Sequence, residues 1–134
     1  LWHQGGEKEE ERNVPKTLLI VEDDEDIQNY YGFLFGRLDL KMVRAFSGEE
    51  AIEKVASEPS LDLILLDVVL PGMGGEEFFR ILRKEKGVQT PVIVCSVDER
   101  MSQRVQEVGE VQGVFTKGTS GDQLVDIISR TLGL

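Results

Sequence analysis

The sequence predicts an α/β protein built on a single five-stranded parallel sheet with helices on both faces. Three observations predict it: three short apolar runs without polar interruption, two further runs of mixed character, and segments of helical spacing between them. Uninterrupted runs are expected of strands covered on both sides, because a sheet covered on one side alternates apolar and polar residues. The length of 134 residues suits one domain, and a composition 40% hydrophobic but only 7% aromatic suits an aliphatic core between sheet and helices.

Residues 1–16 carry the charged cluster Glu7-Lys8-Glu9-Glu10-Glu11-Arg12 after Gly5-Gly6 and no apolar periodicity, so they read as a tail or linker and 17–134 as the domain. The chain does not begin with Met, and Leu1-Trp2-His3-Gln4 reads as an expression remnant or a cut through a longer protein. Thr17-Leu18-Leu19-Ile20-Val21 is the first strand, Leu63-Ile64-Leu65-Leu66 the third and Val92-Ile93-Val94-Cys95 the fourth, all expected at the sheet centre. Lys41-Met42-Val43-Arg44-Ala45 and Gly113-Val114-Phe115-Thr116 are more mixed and suit the second and fifth strands near the edges.

Covering helices are expected where apolar residues recur at helical spacing. Ile27, Tyr30, Tyr31, Leu34 and Leu38 mark the first, Ala51, Ile52 and Val55 the second, and Phe78, Ile81 and Leu82 the third. Met101, Val105 and Val108 form a thin stripe for the fourth, which is expected to be the least firmly attached, and Leu124, Ile127, Ile128 and Leu132 mark the fifth. Ser47 followed by Glu50, and Ser120 followed by Gln123, fit the capping box at a helix start. Asp122 and Asp126 then face solvent, while Met73, Met101 and Phe78-Phe79 serve packing.

Composition excludes several functions. Acidic residues outnumber basic ones 25 to 15, and a net charge of -10 repels a nucleic-acid backbone. Cys95, the lone cysteine, sits in an apolar run and reads as a buried small residue, consistent with a reducing cytoplasm. No apolar stretch reaches the roughly 18–20 residues that span a bilayer. His3 is the only histidine, which leaves no material for a triad or a histidine metal site.

Function in an open parallel sheet gathers at the carboxyl ends of the strands. Glu22-Asp23-Asp24 closes the first run, Asp67 the third, Ser96 the fourth and Lys117 the fifth. With strand order 2-1-3-4-5 the first and third strands are neighbours, so Glu22, Asp23 and Asp67 converge on one pocket. Crowded carboxylates repel one another unless a hard cation sits among them, which points to Mg²⁺ or Mn²⁺ with Asp23 and Asp67 as direct ligands. A carboxylate can also act as a nucleophile towards phosphorus, and Asp67 is placed for it, with Lys117 and Ser96 available to stabilise phosphoryl oxygens.

These residues carry a resemblance. Leu18-Leu19-Ile20-Val21-Glu22-Asp23-Asp24, Leu65-Leu66-Asp67-Val68-Val69-Leu70-Pro71-Gly72-Met73-Gly74-Gly75, Pro91-Val92-Ile93-Val94-Cys95-Ser96 and Phe115-Thr116-Lys117 stand in the order and spacing of the response-regulator receiver domain, the family of the chemotaxis regulator. The stretch from Thr17 to Leu132 resembles that family and its flavodoxin-like, doubly wound sheet. The resemblance implies that Glu22 and Asp23 are the acidic pair, Asp67 the phosphoacceptor and Val69 the backbone carbonyl that completes the metal site. It makes Ser96 the switch hydroxyl and Lys117 the lysine on the phosphoryl group. It further implies phosphoryl transfer from a sensor histidine kinase, a phosphotransfer protein or a small donor, self-dephosphorylation, a downstream output domain or protein, and room for a phosphorylation-dependent dimer. A stand-alone receiver, a piece of a larger regulator and the receiver of a hybrid kinase are all compatible with the chain.

The sequence departs from the family at three places. Gly118 stands where a proline with a cis bond is usual, so a trans bond and an altered loop are expected. Val114 stands at the aromatic switch position, with Phe115 on the opposite face of the strand. Gly74 replaces the usual Asp or Asn. Two other functions compete: a docking module that no longer cycles phosphate, suggested by Val114 and Gly118, and a flavodoxin-like flavin or nucleotide binder. The second lacks a glycine-rich phosphate loop after its first strand.

Overall fold

Each apolar run forms a strand in the computed structural model, which describes residues 14–134. In chain order the elements are β1 (Lys16–Val21), α1 (Glu25–Phe35), β2 (Leu40–Ala45), α2 (Gly48–Ser57), β3 (Leu63–Asp67), α3 (Gly75–Arg80), a π-helical turn (Ile81–Glu85), β4 (Val92–Ser96), α4 (Glu99–Val108), β5 (Gly113–Thr116) and α5 (Gly121–Leu132). The tail expected over 1–16, with His3, lies outside the described residues as far as residue 13, and Lys16 already belongs to β1. No helix among the described residues is long and apolar enough to cross a membrane.

The sheet order is β2-β1-β3-β4-β5, every pair parallel. β1, β3 and β4 occupy the centre and bury nearly every residue, while the mixed strands β2 and β5 take the edges. Because strand side chains alternate between faces, the same strands feed two separate cores. Leu18, Ile20, Leu63, Leu65, Ile93 and Phe115 pack with Tyr31, Leu34 and Phe35 of α1 and Leu124, Ile128 and Leu132 of α5. Leu19, Val21, Ile64, Leu66, Val92 and Val94 pack instead with Ala51 of α2, Phe78, Phe79 and Leu82 around α3, and Val105 of α4.

Several local expectations need correction. The buried stripe of α1 is Gln28, Tyr31, Leu34 and Phe35, so Tyr30 turns outward and Leu38 lies past the helix end. Of the two expected capping boxes, Ser47 accepts from the Glu50 N–H at 3.0 Å, but the Glu50 carboxylate accepts from Phe46 N–H instead of Ser47. At α5, Ser120 Oγ accepts from Asp122 N–H at 3.2 Å, one residue short of the boxed position, because its backbone carbonyl already holds Gln123 N–H. Burial does not single out α4 as weakly attached: it buries one apolar side chain completely, Val105, as α2 buries Ala51.

Candidate functional site at the carboxyl ends of the strands

Register builds the site. Val21 of β1 pairs with Leu66 of β3, so the next residues, Glu22 and Asp67, emerge side by side. Ser96 pairs with Thr116 across β4 and β5, so Lys117 emerges one step beyond Ser96, and its backbone N–H donates to Ser96 O at 2.9 Å. The loop below Asp67 is held close to α3 by Gly75, whose N–H donates to Val68 O at 2.9 Å. A Cβ on Gly75 would lie 2.6 Å from Asp67 O and 2.7 Å from Val68 Cα, both rigid backbone, so the helix start can approach only as glycine. Gly74 is the N-cap of α3 and gives no side-chain hydrogen bond where the family's usual Asp or Asn could.

Glu22, Asp23 and Asp67 bring carboxylate oxygens within 4.8 Å of one another, Glu22 and Asp67 buried and Asp23 exposed. Lys117 Nζ reaches over them, donating to Asp67 Oδ2 at 2.8 Å and to Glu22 Oε1 at 3.1 Å. The remaining oxygens of the buried pair receive backbone donors: Asp24 N–H to Glu22 Oε2 at 3.1 Å and Val69 N–H to Asp67 Oδ1 at 3.1 Å. Burial, together with the neighbouring Asp67 charge, pushes the Glu22 carboxyl up to about 7, against the lowering pull of the Asp24 N–H and Lys117. For Lys117 burial works to lower its pKa, but the bonds to Asp67 and Glu22 outweigh it and the net shift is upward. Three carboxylates facing one ammonium leave two negative charges in excess when ionised. An all-oxygen set carrying that deficit fits a hard divalent cation, and Glu22, Asp23 and Asp67 are the residues that could hold it.

Ser96 belongs to the same rim but not to this cluster. Its hydroxyl donates to Asp98 O at 2.8 Å and accepts from Asp98 N–H at 3.0 Å. Asp98 in turn caps α4, its carboxylate accepting from Arg100 N–H at 2.9 Å, an interaction that holds the Asp98 carboxyl below the usual range. The peptide at Gly118 is trans, with φ at +93°, and Phe115 is buried in the α1/α5 core while Val114 is partly exposed on the other face. Cys95 is buried, and burial pushes its thiol up to about 12. Asp24 is the N-cap of α1, accepting from Asp26 and Ile27 N–H.

Gln28 escaped the sequence reading. It is fully buried, and its side-chain amide nitrogen lies 3.1 Å from Ile20 O, 3.1 Å from Glu22 O and 3.0 Å from Ala45 O. The one signal was spacing, since Gln28 stands three and seven residues before Tyr31 and Phe35 on a single helix face.

A five-stranded doubly wound sheet of this order, with an acidic pair, a third carboxylate and a lysine at its strand ends, defines the class of receiver domains. A family model described as response regulator receiver domain matches residues 18–129, and the chain belongs to that family. The transcriptional regulatory protein CiaR of Streptococcus pneumoniae is 38% identical over 88 residues, covering 65% of this chain and 38% of that protein. The alkaline phosphatase synthesis regulator PhoP of Bacillus subtilis is 34% identical over 84 residues, covering 63% of this chain and 35% of that one. The matches thus span about a third of the length of these relatives. Among solved structures, a response regulator described as putative from Chloroflexus aurantiacus superposes with a TM-score of 0.80 at 25% identity, covering 90% of this chain and all of that one. The chemotaxis protein CheY4 of Vibrio cholerae, at 24% identity and a TM-score of 0.78 over 89% of this chain and 100% of that one, shares the fold.

Proposed function

We propose that this chain is the phosphoacceptor of a two-component phosphorelay in the cytoplasm, with Asp67 taking a phosphoryl group from a phosphohistidine on a sensor kinase or phosphotransfer protein. The observation that carries the reading is the Lys117 ammonium bridging two buried carboxylates, Asp67 and Glu22, at the end of the central strands. Asp23 and Asp67, with Glu22 beside them and the backbone carbonyl of Val69, would hold Mg²⁺ or Mn²⁺. Bound there, the ion supplies positive charge that offsets the carboxylates and the transferring phosphoryl oxygens.

The chain's own residues do the rest. An Asp67 oxygen forms the new O–P bond as the P–N bond of the phosphohistidine breaks, and the imidazole leaves carrying the bonding pair and takes a proton from solvent. Lys117 already sits at the nucleophile, so it can pass from the carboxylate to a phosphoryl oxygen without reaching from afar. Hydrolysis returns the carboxylate and inorganic phosphate. Phe46, Val69 and Val97, exposed in loops that follow strand ends, offer apolar contact to a donor protein on the same rim.

Ser96 links this chemistry to the surface. A hydroxyl that turns to the phosphoryl group must release O and N–H of Asp98, the residue that caps α4. This route needs no aromatic rotamer, which suits a chain with Val114 at that position. The face formed by α4, β5 and α5 is then the surface that an output domain, a protein partner or a second copy reads.

Intact mass after incubation with acetyl phosphate and Mg²⁺ tests the proposal. Wild type gains one phosphoryl group, chelator abolishes the gain, and Asp67→Ala gains none. Labelling retained in Asp67→Ala would make another residue the nucleophile. Val114 and Gly118 favour one further reading, a docking module without phosphate cycling. Beryllofluoride and Mg²⁺ that leave spectrum and partner binding unchanged would support it.

A further inference from the structure

We propose that Gln28 is a positioning residue that fixes the Glu22–Asp23 peptide for cation binding, an inference that rests on the reading of the acidic cluster as a metal site. A polar side chain with no exposure on the buried face of α1 is retained against the cost of desolvation, and its Oε1 has no hydrogen-bond partner among the described residues. An aliphatic side chain would pack there without that penalty, so the amide answers a need other than burial.

The geometry shows what that need is. The Nε2 group carries two protons yet faces three backbone carbonyls: Ile20 and Glu22 at the end of β1 and Ala45 at the end of β2. Ala45 O also accepts from Glu22 N–H at 3.0 Å, so the amide lies where the two strands stop pairing and the chain turns towards the site. The backbone N–H of Gln28 donates to Asp24 O at 3.0 Å, the first helical bond behind the Asp24 cap. One residue therefore closes the turn from both directions, main chain to Asp24 and side chain to Glu22. Asp23 lies between these two fastened points, exposed, and among the described residues no hydrogen bond orients its carboxylate. Its direction is set by the peptide that Gln28 holds. Outer partners of this kind tune metal affinity without touching the metal.

The test is Mg²⁺ titration of the whole chain by calorimetry, with thermal stability measured in parallel in chelator. Gln28→Met keeps volume and removes the donors, and Leu34→Ala truncates a buried side chain further along α1 as a control for general loosening. The expected result is that Gln28→Met weakens Mg²⁺ affinity about tenfold, while Leu34→Ala loses stability but binds as wild type does. Equal affinity in wild type and Gln28→Met overturns the proposal and leaves the metal site standing. Equal weakening in both variants also overturns it, since a merely structural role would produce that. A wild type that binds no Mg²⁺ overturns the reading of the cluster itself. Should Gln28→Met fail to fold, the wild type decides by NMR: the Gln28 side-chain amide protons are expected to resist exchange and to shift in step with the titration. Signals that stay put would refute the role.

Discussion

Glu22 is a carboxyl held among opposing influences, and the balance has a consequence for pH. Its ordinary value is 4.5, and in the folded chain burial and Asp67 raise it to about 7. Between these values the folded state binds a proton that the unfolded state has released, so the group favours folding below 4.5 and that contribution is lost as pH rises to about 7. In chelator, the unfolding temperature of wild type is therefore expected to fall more steeply from about pH 5 to 7 than that of Glu22→Gln. Parallel slopes would show that Glu22 is not the group concerned. Two residue-scale features were hidden from the sequence for one reason. Residue type names neither environment nor partner: a glutamine in a helix ordinarily faces water although Gln28 is buried, and a serine after a strand ordinarily forms a turn, as Ser96 does, without its type saying that Asp98 is the partner. Glu22 and Asp67 were legible because each interrupts an apolar run abruptly, whereas Lys117, after the mixed run ending in Thr116, was legible only by its place at the end of the fifth run.

At the scale of elements, α4 depends at its start on hydrogen bonds that also belong to the site. Asp98 O receives Ser96 Oγ at 2.8 Å, Met101 N–H at 3.1 Å and Ser102 N–H at 3.4 Å, so one carbonyl serves both the switch hydroxyl and the first helical turn. Amide exchange in that turn is expected to rise when beryllofluoride and Mg²⁺ draw Ser96 inward. In Ser96→Ala it should be raised already and respond no further. Unchanged exchange in the wild type would exclude this coupling. Strands were easier to read than helices, because a run buried on both faces needs no phase, whereas a helix stripe displaced by one residue puts Gln28 in place of Ile27 among the fully buried positions. The π-helical turn after α3 left no mark in composition, since it arises where Lys86 N–H bonds Ile81 O at 2.9 Å within an otherwise helical spacing.

For the whole molecule, a net charge of -10 means that folding gathers like charges, and among the described residues the three site carboxylates form such a cluster. Added salt is expected to raise the unfolding temperature by screening. Mg²⁺ should raise it more than NaCl at matched ionic strength, and that surplus should vanish in Asp67→Ala. Equal effects of the two salts would mean that no specific cation site contributes. Centre and edge strands were legible because continuous and mixed runs sort themselves, while the order among them came from the doubly wound fold class and not from the runs.

The loop after Lys117 turns on a backbone conformation that side chains resist. Gly118 turns at φ +93°, and a side chain there would meet no neighbour within 4 Å, so space is not what restricts the position. Proline is tied to a φ near about −65°, and no L side chain is at ease at +93°. Gly118→Pro would therefore force this turn to rebuild, however open the space around it.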